Sequence, residues 1–175
     1  LIYEWTIQSL HRRFPSFFIG RLKSKDEELQ EAAQIFTHLG NVNYIKLESI
    51  AMIYHTLGGL NLSEDGGSMS PARVWALGTA SAILGFIPSH KLAKQYAEQA
   101  LKASTQVNDP RSRSWTYLAV GTYQLGIAQW GVSRASLLQV KELASQAYDN
   151  RLQGDAEIVL AGLEFYRGGN FQTSK

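Results

Sequence analysis

The chain has 175 residues, of which 45% are hydrophobic and 18% charged, a composition typical of a globular domain and not of a disordered segment. Its formal net charge of +2 gives no bulk electrostatic indication of a nucleic-acid partner, and the absence of cysteine excludes disulfides and thiolate metal sites. No apolar run approaches the roughly 20 residues of a membrane-spanning helix, so we expect a cytoplasmic chain without a membrane partner. Only 4 prolines and an abundance of helix-forming residues predict an all-α fold.

The first 24 residues are less regular than the rest. Residues 2–14 predict a helix that completes an earlier, truncated repeat, and Pro15 followed by Phe17 and Phe18 interrupts it. The chain starts at Leu1 and has no basic targeting segment, so we expect it to be part of a larger protein. We therefore place residues 1–24 before a repeat domain that covers residues 25–175.

Four segments of this repeat domain share a pattern in which a small residue precedes a glycine by seven positions. The pairs are Ala33 and Gly40, Gly78 and Gly85, Ala119 and Gly126, and Ala161 and Gly168. Two helical turns separate the members of a pair, so both lie on one helix face. The small residue would admit a neighbouring helix, and the glycine would take the left-handed conformation that ends a helix.

Helix boundaries follow from capping signals and hinges. Ser70-Pro71 and Asp109-Pro110 each predict an N-cap followed by proline in the first turn, and Gly154-Asp155 predicts the start of the fourth copy. The second helices are predicted over residues 44–64, 89–107 and 133–152, with non-helical hinges at 65–68 and 108–110. The repeats then cover 25–67, 68–108, 109–152 and, incompletely, 153–175.

The runs Trp115-x-x-Leu118-Ala119 and Leu77-Gly78 resemble the consensus of tetratricopeptide (TPR) repeats. The repeat period in this chain is longer than that of a typical TPR repeat, and it is similar to that of variant repeats in the C-terminal region of large bacterial signalling ATPases and nucleotide cyclases. The resemblance implies a right-handed α-solenoid of antiparallel helix pairs, with about 3.5–4 repeats of about 42 residues.

The same resemblance implies a non-catalytic, regulatory scaffold for protein–protein interaction, whose first helices form a concave groove for a peptide or helix. Arg73 and Arg113 would bind a carboxylate there, and the unpaired fourth helix would favour end-to-end self-association. The expected groove residues are Gln34, His38, Arg73, Trp75, Thr79, Arg113, Thr116, Tyr123, Gln124 and Tyr166.

Motifs for catalysis were sought as well. The four histidines are scattered, and the sequence contains no His-Glu-x-x-His run, no glycine-rich phosphate loop and no nucleophile elbow, so we expect no metal, cofactor or enzymatic activity. One alternative is a small-molecule pocket, its predicted lining being Trp75, Trp115, Tyr123 and Trp130. Another is an RNA-binding repeat that uses the basic clusters 11–13, 21–25 and 111–113, which we interpret instead as solvated faces.

Overall fold

The computed structural model describes residues 1–87 and 89–168, which form nine α-helices and no strand, so the all-α prediction is confirmed. The helices are α1 (Ile2–Arg13), α2 (Pro15–Phe18), α3 (Asp26–Ile45), α4 (Ser49–Gly66), α5 (Pro71–Phe86), α6 (His90–Ser104), α7 (Pro110–Gly126), α8 (Trp130–Gln146) and α9 (Asn150–Gly168). A 3-10 turn, Lys23–Lys25, precedes α3. The portion of the predicted fourth repeat at 169–175 lies outside the described residues. Over the described ranges, no helix combines the length and hydropathy needed to cross a membrane.

The helices pack in sequential pairs: α3 on α4, α5 on α6, and α7 on α8. The first helices of these pairs also contact one another in succession, α3 with α5 and α5 with α7, and α9 continues this row against α7. Helix α1 packs on α4. One apolar core lies around α5 and α6, centred on Leu60, Val74 and Ala93, and a second joins α7, α8 and α9 through Leu137 and Leu152.

The two proline-containing helix starts are confirmed by their caps. Ser70 Oγ accepts a hydrogen bond from the Arg73 amide at 3.2 Å, and Asp109 Oδ2 accepts one from the Ser112 amide at 2.8 Å. The predicted start of the fourth copy is wrong, because α9 already begins at Asn150 and contains Gly154-Asp155. The Asp149 carboxylate accepts from the Leu152 amide at 3.1 Å and so caps the helix four residues earlier.

Two of the four glycines predicted to end the first helices are the last residue of a helix, Gly126 in α7 and Gly168 in α9, whereas Gly40 and Gly85 lie inside α3 and α5. Gly40 lies five residues before the end of α3, and neither Gly85 nor Gly126 has a positive φ; only Gly168, with φ 135°, does. The small residues that precede these glycines also lack a common environment. Ala33 is fully buried beside α4, whereas Ala161 is exposed.

Three helices end instead at non-glycine residues in the left-handed conformation, namely Leu47 (φ 60°), Ala128 (φ 59°) and Tyr148 (φ 53°). Each end has the same two backbone hydrogen bonds. At α3, the Leu47 amide donates to Tyr44 O at 3.1 Å and the Glu48 amide donates to Asn43 O at 2.9 Å. This is the Schellman motif, which satisfies carbonyls that a helix end leaves free.

Pairs α3–α4 and α7–α8 repeat the same contacts at an offset of 81 residues. Gly40 lies against His55 as Gly121 lies against Ser136. One turn further along α3 and α7 the two pairs correspond again. The side chains of Asn43 and His55 are hydrogen-bonded at 2.7 Å, and those of Gln124 and Ser136 are hydrogen-bonded at 2.8 Å. An offset of 81 residues over two pairs corresponds to about 40 per pair, slightly less than the predicted 42.

Buried polar contacts attach α1 to α4. Asn61 Nδ2 donates to Glu4 Oε2 at 2.7 Å, Gln8 Nε2 donates to Glu64 Oε2 at 3.1 Å, and His11 Nδ1 lies 2.8 Å from the same Glu64 oxygen. His11 is completely buried, so interpreting the cluster 11–13 as a solvated face is wrong for this residue. Helix α4 continues through Gly66, two residues into the predicted hinge 65–68.

Candidate functional site

A groove of about 470 Å³ lies between α3, α5 and α7, on the row of first helices. Helix α3 forms one wall, the start of α5 forms the floor, and the start of α7 forms the opposite wall. The lining side chains used below are Glu27, Gln30, Glu31, Gln34, His38, Asn41, Trp75, Asp109 and Arg111. The groove is therefore polar on its walls, with an indole on its floor.

The floor is held by aromatic stacking. The rings of Trp75 and Trp115 are parallel within 5°, with centroids 4.6 Å apart, and Tyr44 meets Trp115 edge-on at 5.5 Å. Trp115 Nε1 donates a hydrogen bond to Thr79 Oγ1 at 2.8 Å, which satisfies the buried indole. Trp75 thus presents a fixed apolar surface to the groove.

The charges that remain free in this groove are negative. Glu27 and Glu31 are exposed one helical turn apart on α3, and neither forms an ion pair within the described residues. On the opposite wall, Arg111 Nε donates to Asp149 Oδ2 at 2.9 Å, so its charge is already balanced. The Asp109 carboxylate caps α7.

Two buried acceptors in the α3 wall lack a hydrogen-bond partner in the described part of the chain. They are Gln30 Oε1 and Asn41 Oδ1. Gln30 Nε2 donates to Asp26 Oδ1 at 3.1 Å and to Ser63 O at 3.0 Å, which fixes the amide. An unsatisfied buried acceptor is unfavourable, and both of these amides belong to residues that line the groove.

Three of the predicted groove residues, Gln34, His38 and Trp75, line this groove together. Four others are buried in helix–helix contacts and do not face it: Thr79, Thr116, Tyr123 and Gln124. Thr116, for example, donates to Val74 O at 3.1 Å and has no exposed surface. These four residues do not line the groove between α3, α5 and α7, because helices α5 and α7 use these positions to pack on their neighbours.

The predicted carboxylate-binding arginines are also elsewhere. Arg73 lies on the other side of α5, where its Nη2 is 3.5 Å from Glu64 Oε1. Arg113 is half-buried and does not line the groove, and Tyr166 is exposed on α9 away from it. The groove wall formed by α3 is instead acidic, and neither Arg73 nor Arg113 contributes positive charge to the groove lining.

Sequence reasoning missed the acidic wall, because an acidic cluster such as residues 26–28 is also favoured at a helix start by the helix macrodipole alone. The available signal was the spacing of Glu27, Glu31, Gln34 and His38, which follows one face of α3 at steps of three and four. The four side chains all line the groove.

The four-aromatic pocket of the alternative prediction does not form. Trp75 and Trp115 meet, but the Tyr123 hydroxyl donates to His90 O at 3.3 Å on the side of α6, and Trp130 packs on the core of α7, α8 and α9. A different apolar cavity of about 240 Å³ lies beside Trp115, between Tyr44 and Ile158.

No group of His, Asp or Glu side chains in the described residues could hold a metal ion. The nearest approach to one is His11 with Glu64 and Asp65. The two ring nitrogens of His11 face different carboxylates, with Nε2 lying 3.1 Å from Asp65 Oδ1, so the three side chains do not converge.

Comparisons with protein-family models, curated proteins and solved structures give no match.

Proposed function

We propose that this chain is a non-catalytic interaction scaffold whose groove between α3, α5 and α7 binds a basic peptide segment of a partner protein. One observation carries the proposal. A 470 Å³ groove combines a fixed indole floor, two unpaired carboxylates and two buried acceptors that lack donors.

The chemistry of the groove favours lysine or arginine side chains. An ammonium or guanidinium group supplies donors to Gln30 and Asn41, and its charge is complementary to Glu27 and Glu31. The aliphatic stem of such a side chain can pack on Trp75, and rigid aromatic residues are frequent anchors of interfaces. A partner segment with basic residues spaced along a helix or strand would satisfy several of these groups at once.

The first helices α3, α5, α7 and α9 contact one another in order along the chain. This succession supports the proposal of a TPR-like solenoid. In such arrays each repeat contacts its neighbours and exposes an extended binding surface. We further propose that the chain serves as a regulatory region of a larger cytoplasmic signalling protein, and the TPR-like resemblance supports this assignment.

Selection of peptides from a random display library tests the binding proposal. The selected peptides should be rich in lysine and arginine, and Glu31→Lys should weaken their binding at least about tenfold, since it reverses the charge of the wall. Glu28→Lys is the matched control, because Glu28 is exposed on the same helix but does not line the groove. Peptides that bind both variants as tightly as the parent chain would show that the groove is not the site.

The alternative function, a small-molecule receptor, is favoured by the apolar cavity beside Trp115. Thermal unfolding in the presence of apolar aromatic compounds distinguishes the two functions. A compound that raises the melting temperature, and whose effect is lost in Ile83→Trp, would support the receptor. Stabilisation by basic peptides alone supports the scaffold.

A further inference from the structure

A cavity of about 320 Å³ lies between α1, α5 and α6, on the side of α5 opposite the groove. Arg73 and Leu77 of α5 line this cavity, whereas Ala72 and Trp75 face the groove. The two sites share no lining residue, although α5 contributes to both, and the cavity is independent of the proposed partner binding.

Cations outnumber carboxylates around this cavity. Arg12 of α1, Arg73 of α5 and Lys102 of α6 line it, and Glu64 is the one carboxylate among the lining residues that the structure describes. Both Gln8 and His11 already engage Glu64 Oε2. The excess charge is therefore positive, and it comes from three helices.

The donors of Arg73 are only partly used. Its Nη2 lies 3.5 Å from Glu64 Oε1 and its Nη1 lies 3.4 Å from Gly67 O, both long contacts. Its Nε is buried and has no hydrogen-bond partner among the described residues. A half-satisfied, mostly buried guanidinium at a cavity wall is ready to bind an anion.

Tyr96 adds a neutral donor to the same wall. Burial, more than the nearby Glu64, raises the pKa of its phenol to about 12, so the hydroxyl stays protonated at neutral pH. Arg12 is near enough to this phenol to act against the increase in its pKa, so the cation and the hydroxyl lie on the same side of the cavity.

We propose that this cavity binds a small organic phosphate, with its phosphate oxygens on Arg12, Arg73 and Lys102 and its apolar body against Met69 and Leu77. Guanidinium groups bind phosphate in a bidentate manner, and cations approaching from three helices suit a tetrahedral group better than a planar carboxylate. Apolar lining with a few convergent polar groups is the usual composition of small-ligand sites.

Calorimetric titration with phenyl phosphate tests this proposal, with inorganic phosphate, benzoate and benzyl alcohol as comparators. Phenyl phosphate should bind at least about tenfold more tightly than each of the other three, because only it supplies both the dianion and the apolar body. Benzoate that binds as tightly would overturn the phosphate assignment. Absence of phenyl phosphate binding at millimolar concentration would overturn the site itself.

Variants locate the binding. Arg12→Gln and Lys102→Ala should each weaken phenyl phosphate at least about fivefold, as expected for the loss of one charged hydrogen bond. Both side chains are exposed, so these variants should fold, and circular dichroism melting curves check this. Lys91→Ala is the matched control on the exposed face of α6, outside the cavity. Equal affinity of all three variants and the parent chain would exclude this cavity as the site.

Discussion

Gly78 and Thr116 mark a close approach of the α5 and α7 backbones, since a Cβ added to Gly78 would lie 3.0 Å from Thr116 Cα. A backbone atom cannot rotate away as a side chain can. We expect Gly78→Ala to separate the two helices and to reduce the free energy of unfolding by about 1–2 kcal/mol, despite the better helix propensity of alanine.

Chemical denaturation measures this effect, and Gly162→Ala is its control. Gly162 lies inside α9, where an added Cβ would meet nothing within 4 Å. That substitution should stabilise the chain by roughly 0.5–1 kcal/mol through helix propensity alone. Equal shifts in the two variants would mean that α5 and α7 do not approach as closely as described.

Leu47 offers a stabilising substitution, because its left-handed backbone (φ 60°) is unfavourable for a side chain and its side chain is 85% exposed. We expect Leu47→Gly to raise the free energy of unfolding by roughly 0.5–1 kcal/mol. Lys46→Gly, one position earlier and in the right-handed helical conformation, should lower it. Thermal melts that shift in the same direction for both variants would contradict the Schellman end of α3.

The helical class and two capped helix starts could be predicted from the sequence, because Ser70-Pro71 and Asp109-Pro110 are local signals. The alignment of the first repeat with the other repeats could not be predicted correctly from the sequence. It placed Gly40 at a helix end, whereas Gly40 lies where α3 approaches α4, as Gly121 does where α7 approaches α8. A glycine that permits close packing and a glycine that ends a helix are identical in sequence, and only the contacts distinguish them.

The groove was only partly predictable for a related reason. Helices α5 and α7 are buried over most of their circumference, since each contacts several other helices. Polar residues such as Thr116 and Gln124 then form hydrogen bonds with the adjacent helices inside the protein and do not mark an exposed face. Helix α3 keeps a solvated polar face, and Gln34 and His38 on that face line the groove.

We expect the buried phenol of Tyr96 to make the folded state less stable at alkaline pH. Burial raises the pKa of this phenol from 10.0 to about 12 in the folded chain. The folded state therefore holds the proton more tightly than the unfolded state does. The protonated phenol contributes its full share to the free energy of unfolding below pH 10. This contribution declines as the pH rises towards 12, and it amounts to roughly 2–3 kcal/mol at most.

Denaturation at pH 9 and at pH 11.5 should show a smaller loss of stability in Tyr96→Phe than in the parent chain, because phenylalanine does not titrate. Tyr148→Phe provides the comparison, since Tyr148 is 93% exposed. It should leave the pH dependence of the parent chain unchanged. If Tyr96→Phe follows the parent curve, burial does not control the ionisation of this hydroxyl.

We expect the buried carboxylate of Glu64 to hold α1 against α4. Its carboxylate accepts from Gln8 Nε2 at 3.1 Å and lies 2.8 Å from His11 Nδ1, and all three residues are buried. Glu64→Ala leaves both α1 side chains without that acceptor inside the protein. We expect a loss of about 3 kcal/mol, the usual cost of removing one member of a buried polar cluster.

Hydrogen exchange followed by mass spectrometry locates that loss. In Glu64→Ala, amide protection should fall across α1 while α7 and α8 keep theirs, because their core around Leu137 and Val140 does not involve α1. Glu48→Ala is the control, since Glu48 is an exposed glutamate that precedes the same helix. Protection of α1 that survives in Glu64→Ala would show that apolar contacts, and not this buried carboxylate, hold α1 against α4.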